Sequence, residues 1–174
     1  MRTPTLVIVL SLALAGAASA QTAHNSGAPI TFDAAHIELQ DKANRAILSG
    51  GVVVRQAAMT LKAARMTVAY TGQVIDGSPQ ISRLDATGGV TVTRPDQTAR
   101  SNFAVYDLNK RVVTMLGAVT LIQSGNTISG GRLTINLDTG RAIIDGSSVG
   151  GGGAGTTTSS SGRVSGTFSV PKRN

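Results

Sequence analysis

"SGGVVVRQ" (residues 49–56) returns as "TGGVTVTR" (87–94) and, more loosely, as "LGAVTLIQ" (116–123). Taking Gly50, Gly88 and Gly117 as a common origin, a second segment begins fifteen residues after each: "RMTVAY" from Arg65, "FAVYDL" from Phe103 and "RLTINL" from Arg132. Fourteen residues further on from Phe103 and Arg132 come Gly117 and Gly146, and His36, which opens "HIELQD", stands fourteen before Gly50. The unit is therefore 29 residues long, split 15 and 14. Only the step from Gly50 to Gly88 is longer, by nine residues, and the surplus falls on "TGQVIDGSP" (71–79), a polar Gly/Pro stretch that reads as an inserted turn. A fixed period of about 20–50 residues marks stacked supersecondary units. Some three and a half units fill residues 30–146.

Within each unit the apolar residues alternate, as on a half-buried strand, and do not recur at helical spacing. Counted from the origin glycine, one column holds Val52, Val90 and Val119, and the next Val54, Val92 and Leu121; Leu61, Ala99 and Ile128 follow. The second segment contributes Met66, Ala104 and Leu133, then Val68, Tyr106 and Ile135, then Tyr70, Leu108 and Leu137. Ile37 and Leu39 of the opening half-unit join these columns, and Leu48, Ala86, Met115 and Ile144 precede each glycine. Thr, Arg, Asp and Asn take the opposite face. "RPDQ" (94–97), "LNK" (108–110), "QSGN" (123–126) and "LDTG" (137–140) supply the turns. A glycine at one place in every unit marks a bulge or bend, which creases the sheet along a common line. The expected fold is all-β: an antiparallel sheet folded into two leaves, an open, repeat-built sandwich with its apolar columns inside.

The ends differ from the repeats. "MRTPTLVIVLSLALAGAASA" has Arg2, an apolar run from Leu6 to Leu14 and Ala18-Ser19-Ala20, the pattern of a secretory signal peptide cleaved near Ala20. Residues 21–29 read as a flexible N-terminus and 30–146 as the β domain. The tract at 147–162 is nearly all Gly, Ser and Thr and reads as a flexible linker. In the tail, 163–174, "RVSGTFSV" alternates again, with no legible pairing partner.

Composition narrows the function. Without Arg2, 15 Lys and Arg face 9 Asp and Glu, so the exported chain carries +6 and suits an anionic partner. Aromatics at 3% and the absence of a dense basic cluster argue against nucleic acid. The basic residues Arg45, Arg55, Lys62, Arg65, Arg83, Arg94, Arg100, Lys110, Arg111, Arg132 and Arg141 read as marking the outside or the edges, most of them on a solvated face. There is no Cys, and the nine acids stand singly, mostly at turns, so neither a metal site nor a paired-acid enzyme is expected. His24 precedes the core and His36 shares a column with Arg and Phe, a surface placement. No cofactor and no catalytic residue is expected.

The segment "GGVTVTRPDQTARSNFAVYDLNKRVVTMLGAVTLIQSGNTISGGRLTINLDTGRA" (88–142) resembles the OstA-like, or LptA, family, with its recurring G-x-V-x-V followed by "A-x-x-A-V-Y-D" or "G-x-R-L-x-I-x-L" strands. The resemblance spans residues 30–146. It implies a periplasmic bridge of lipopolysaccharide transport: a β-jellyroll, open on one side, that holds acyl chains of lipopolysaccharide or a similar glycolipid against its inward columns. It also implies head-to-tail stacking of copies between an inner-membrane adaptor and an outer-membrane translocon. Physically, a long acyl chain in water costs on the order of 10 kcal/mol, so carrying it across an aqueous gap calls for a continuous apolar surface. Small inward residues such as Ala46, Ala86, Ala99, Ala104 and Ala142 fit either space for a ligand or narrowly spaced leaves. The competing reading is a structural or adhesive exported β-repeat protein with a dry core.

Overall fold

In the computed structural model, residues 24–72, 79–146 and 163–168 are described, and within them the alternating runs form ten strands of one antiparallel sheet. The strands are β1 (Ile30–Asp33), β2 (His36–Gln40), β3 (Arg45–Gln56), β4 (Met59–Thr71), β5 (Gln80–Arg94), β6 (Gln97–Asp107), β7 (Val112–Gln123), β8 (Asn126–Asn136), β9 (Ala142–Asp145) and β10 (Ser165–Thr167). The signal segment, positions 73–78 of the inserted turn and the 147–162 tract lie outside the described residues.

The six long strands, β3 to β8, pair in chain order and each crosses both leaves. In β3, Ser49 faces Arg65 and Val52 faces Ala63, so Gly50 and Gly51 oppose the single residue Ala64. The same two-against-one count recurs at Gly88–Gly89 against Asn102 and at Gly117–Ala118 against Gly131. These are β-bulges, and each adds twist and bend to its strand. Because they fall in register on β3, β5 and β7, the bends add up to one crease across the sheet. Leaf one holds the hairpin tips after β3, β5 and β7; leaf two holds the other halves of the same strands. At the margins the leaves have separate strands: β1 and β10 edge leaf one, β2 and β9 edge leaf two.

Glycine at the first bulge position answers two demands. Gly88 has φ +84°, a left-handed value costly to a residue with a side chain, and a Cβ there would sit 2.7 Å from the Cβ of Ala64. Gly50 repeats this, at φ +85° and 2.6 Å from Ala35. The second position is less demanding. A Cβ on Gly89 (φ +69°) meets nothing within 4 Å, and the third repeat places Ala118 there at φ 48°.

The tail strand β10, whose partner is not legible in sequence, pairs with β8 through Ser165↔Ser129, Gly166↔Ile128 and Thr167↔Thr127. From His24 onward the N-terminal stretch is also tied down. The Gln56 amide donates to the carbonyls of Ser26 (2.9 Å) and Ala28 (3.0 Å), and the Ser26 hydroxyl donates to Asp138 (3.0 Å).

The two bulge positions make different predictions. Gly88→Ala should lower stability by about 1–3 kcal/mol through strain and overlap, and Gly89→Ala by no more than about 1 kcal/mol. Urea denaturation of the two variants in parallel measures the difference; equal losses would contradict a special role for the first glycine.

Candidate functional site

Antiparallel partners directly opposite one another point to the same face, so the strand registers trace each inward row across the sheet. In leaf two one row runs Leu39, Ala46, Val68, Leu84, Tyr106, Val113, Ile135, Ala142. Its neighbour runs Ile37, Leu48, Met66, Ala86, Ala104, Met115, Leu133, Ile144. In leaf one the matching row is Phe32, Val54, Leu61, Val92, Ala99, Leu121, Ile128 and the backbone of Gly166. No charged side chain interrupts any of the three. Each row is an unbroken apolar track from one margin to the other.

Fifteen of the expected interior residues are buried: Leu48, Val52, Val54, Leu61, Met66, Val68, Tyr70, Val90, Val92, Tyr106, Met115, Val119, Leu121, Leu133 and Ile135. Three differ. Ile37 and Leu39 belong to the inward rows yet are 45% and 53% exposed, because they lie on the margin strand β2, beyond which no described strand follows. Ile128 is half-buried near the opposite margin, where only the short β10 follows. Ala142 is exposed on β9 for the same reason. Leu84 and Val113, each 1% exposed or less, also belong to the core. The sequence signal for them was available: they stand four residues before their origin glycines, in the column of Ala46.

The leaves meet. Every buried apolar side chain is at most 7% exposed, so the small residues Ala46, Ala86, Ala99 and Ala104 are packed by neighbours and do not border an open trough. Opposite the crease, the free ends of the two leaves form a seam, and the seam is polar. Across it the Tyr106 hydroxyl donates to Gln56 Oε1 at 2.6 Å, joining strands β6 and β3. His24 is buried there too, with Nε2 3.4 Å from the same oxygen. Asp138 receives both Ser26 and Arg111, the latter at 3.2 Å.

A further correction concerns Arg94. Read as an outer or edge residue, it is 9% exposed and continues the inward alternation of Val90 and Val92 to the rim of leaf one. That rim row is polar: Arg94 faces Gln97, Gln97 faces Gln123, and Gln123 faces Asn126. No cluster of potential metal ligands occurs among the described residues.

Burial is the main cause that raises the Tyr106 phenol above its usual value of 10.0, with Asp138 adding to it and Gln56 and Arg111 opposing. Tyr70 is raised as well, by burial first and then by the bond its hydroxyl donates to Asp41 at 3.0 Å.

Comparison with known proteins agrees with this geometry. The sequence family described as "LptA/(LptD N-terminal domain) LPS transport protein" matches residues 31–141. The uncharacterised protein R00383 of Rhizobium meliloti (strain 1021) is 29% identical over 145 residues, 79% of this chain and 78% of that one. Among solved structures, LptH of Pseudomonas aeruginosa, the LptA-homologous periplasmic component of the lipopolysaccharide transport device, superposes with a TM-score of 0.66. The match covers 84% of this chain and 99% of that one at 21% identity, a likeness of fold.

Tyr70 and Tyr106 are the chain's only tyrosines, so an alkaline absorbance titration reads them alone. Both phenols should ionise above pH 10 in the folded protein. The stability they contribute is whole below that pH and is lost as pH rises through the folded values. A folded protein whose tyrosines titrate at the free-phenol value would contradict the closed seam.

Proposed function

The chain belongs to the LptA/(LptD N-terminal domain) family of lipopolysaccharide-transport proteins, and on that premise we propose that it is a periplasmic carrier. In this reading it holds the acyl chains of lipopolysaccharide or a similar glycolipid between its leaves. The observation that carries the reading is the set of apolar rows that run from margin to margin without a charged break. A pocket ends at its walls, whereas a row that reaches both margins continues into whatever docks there.

In the closed state the rows cover one another. Acyl chains enter by parting the leaves at the seam, where a few hydrogen bonds hold the free ends, and they replace leaf-to-leaf contacts with leaf-to-lipid contacts of the same apolar kind. The energetic exchange is therefore small, as release further along the path requires. The leader pattern at residues 1–20, read as a cleaved signal peptide, supports a periplasmic location for the mature chain.

The margins support assembly. Phe32, Ile37 and Leu39 are 52%, 45% and 53% exposed at one end, and Val164 and Phe168 are 44% and 64% exposed at the other. Margin strands carry unpaired backbone groups that accept a further strand. Copies join head to tail, β1 and β2 of one against β9 and β10 of the next, and the terminal copies meet an inner-membrane adaptor and an outer-membrane translocon of related fold.

Two measurements test this reading. A fluorescent acyl probe with an uncharged head should bind the purified protein, and Val90→Asp or Ile135→Asp should abolish uptake. Ala104→Leu, which adds bulk to an inward row without charge, should reduce it several-fold with circular dichroism unchanged. No uptake by well-folded wild-type protein would favour the dry-core structural alternative. Separately, Leu39→Asp, at an exposed margin, should leave the melting temperature unchanged and raise the concentration needed for self-association by about tenfold, read by light scattering. A strict monomer at high concentration would rule out stacking of copies.

A further inference from the structure

The rim of leaf one carries a charge that the rest of the fold does not answer. Arg94 is 9% exposed, its Nη1 is shielded from solvent, and that nitrogen has no hydrogen-bond partner. The ion pairs among the described residues are Arg83–Asp85, Lys110–Asp107 and Arg111–Asp138, and none includes Arg94. Asp96, two residues on in the β5–β6 turn, is exposed. A lysine so placed would escape by losing its proton; a guanidinium stays charged at any working pH. An enclosed charge without a counter-charge is among the costlier things a fold can hold.

The surroundings show what would relieve it. Gln97 lies directly opposite Arg94 in register and is itself only 7% exposed. Gln123 follows on the next strand. Paired positions share a face, so a planar fork of N–H donors is flanked by amide N–H donors, and no carboxylate occupies the row. Such a donor set matches a phosphate oxyanion, which takes paired bonds from a guanidinium and single bonds from amides.

We propose that Arg94, with Gln97 and Gln123, forms a binding site for a phosphate group at the seam. Arg94 neutralises the anion and the amides complete its hydrogen bonds. The site stands at the rim, so a phosphate held there leaves its attached tails to run inward along the rows. That last step rests on the lipid-carrier reading; the anion site rests on Arg94 alone.

Calorimetric titration of the purified protein with three probes tests the proposal: inorganic phosphate, dihexanoyl phosphatidic acid below its micelle concentration, and uncharged dihexanoylglycerol. Arg94→Met, which keeps the bulk and removes the charge, should weaken phosphatidic acid binding by about tenfold or more and leave dihexanoylglycerol unaffected. Arg94→Lys should recover part of the loss. Gln97→Leu gives an independent variant, with a smaller loss expected, should Arg94→Met fold poorly. If inorganic phosphate binds with the same dependence on Arg94, the site takes a free anion; if only phosphatidic acid does, it takes a headgroup with its tails. Phosphate-dependent binding without any dihexanoylglycerol binding would uphold the site and remove the lipid-carrier reading. Unchanged phosphatidic acid and phosphate binding in Arg94→Met, or in Gln97→Leu where Arg94→Met does not fold, would overturn the proposal, as would a wild-type protein that binds neither of the two.

Discussion

A sheet with one continuous apolar face must cover that face, and the described residues include no helix layer to do it. The described residues contain only strands, turns and one short 3₁₀ turn at Asp41–Ala43. The sheet therefore covers itself, and for that every long strand has to bend at the same level. An extra residue in left-handed conformation is the cheapest way to bend a strand, and glycine is the residue that takes the conformation with least strain. Everything else follows from this requirement: the repeated phrase, the facing leaves, and the rows that run uninterrupted between margins.

Most of the architecture was legible because it is local and periodic. The 29-residue spacing located the bulges, and the alternation assigned fifteen interior side chains correctly. What escaped depends on neighbours that periodicity does not describe. Ile37 and Leu39 carry the interior pattern but belong to the last strand at their margin, so the pattern gives their face and not their cover. Arg94 is the converse case, since its position pointed inward while its charge suggested the surface. The pairing of β10 with β8 spans the 147–162 tract, across which no unit repeats. His24 comes from outside the repeats altogether and is fixed by Gln56.

The interior and the seam follow opposite physical rules. Between the rows, contact is apolar and non-directional, so one greasy neighbour substitutes for another with little change in free energy. At the seam, Tyr106, Gln56 and Asp138 make directional bonds whose partners are specific. A dry-core scaffold and a lipid carrier can share the first property. The second suits the proposed carrier, because few and local bonds make a closure that can be released without dismantling the sheet.

The bulges occur on β3, β5 and β7 and are absent from the strands between. Adding a single strand would reverse the chain's direction and set two bulged strands, or two plain ones, side by side, destroying the crease. Such a molecule can grow only by whole hairpins. With strands about 4.8 Å apart, each added repeat extends the apolar track by roughly 10 Å. The distance one copy can span is therefore fixed in steps, and a gap of arbitrary width is bridged by counting copies more readily than by stretching one.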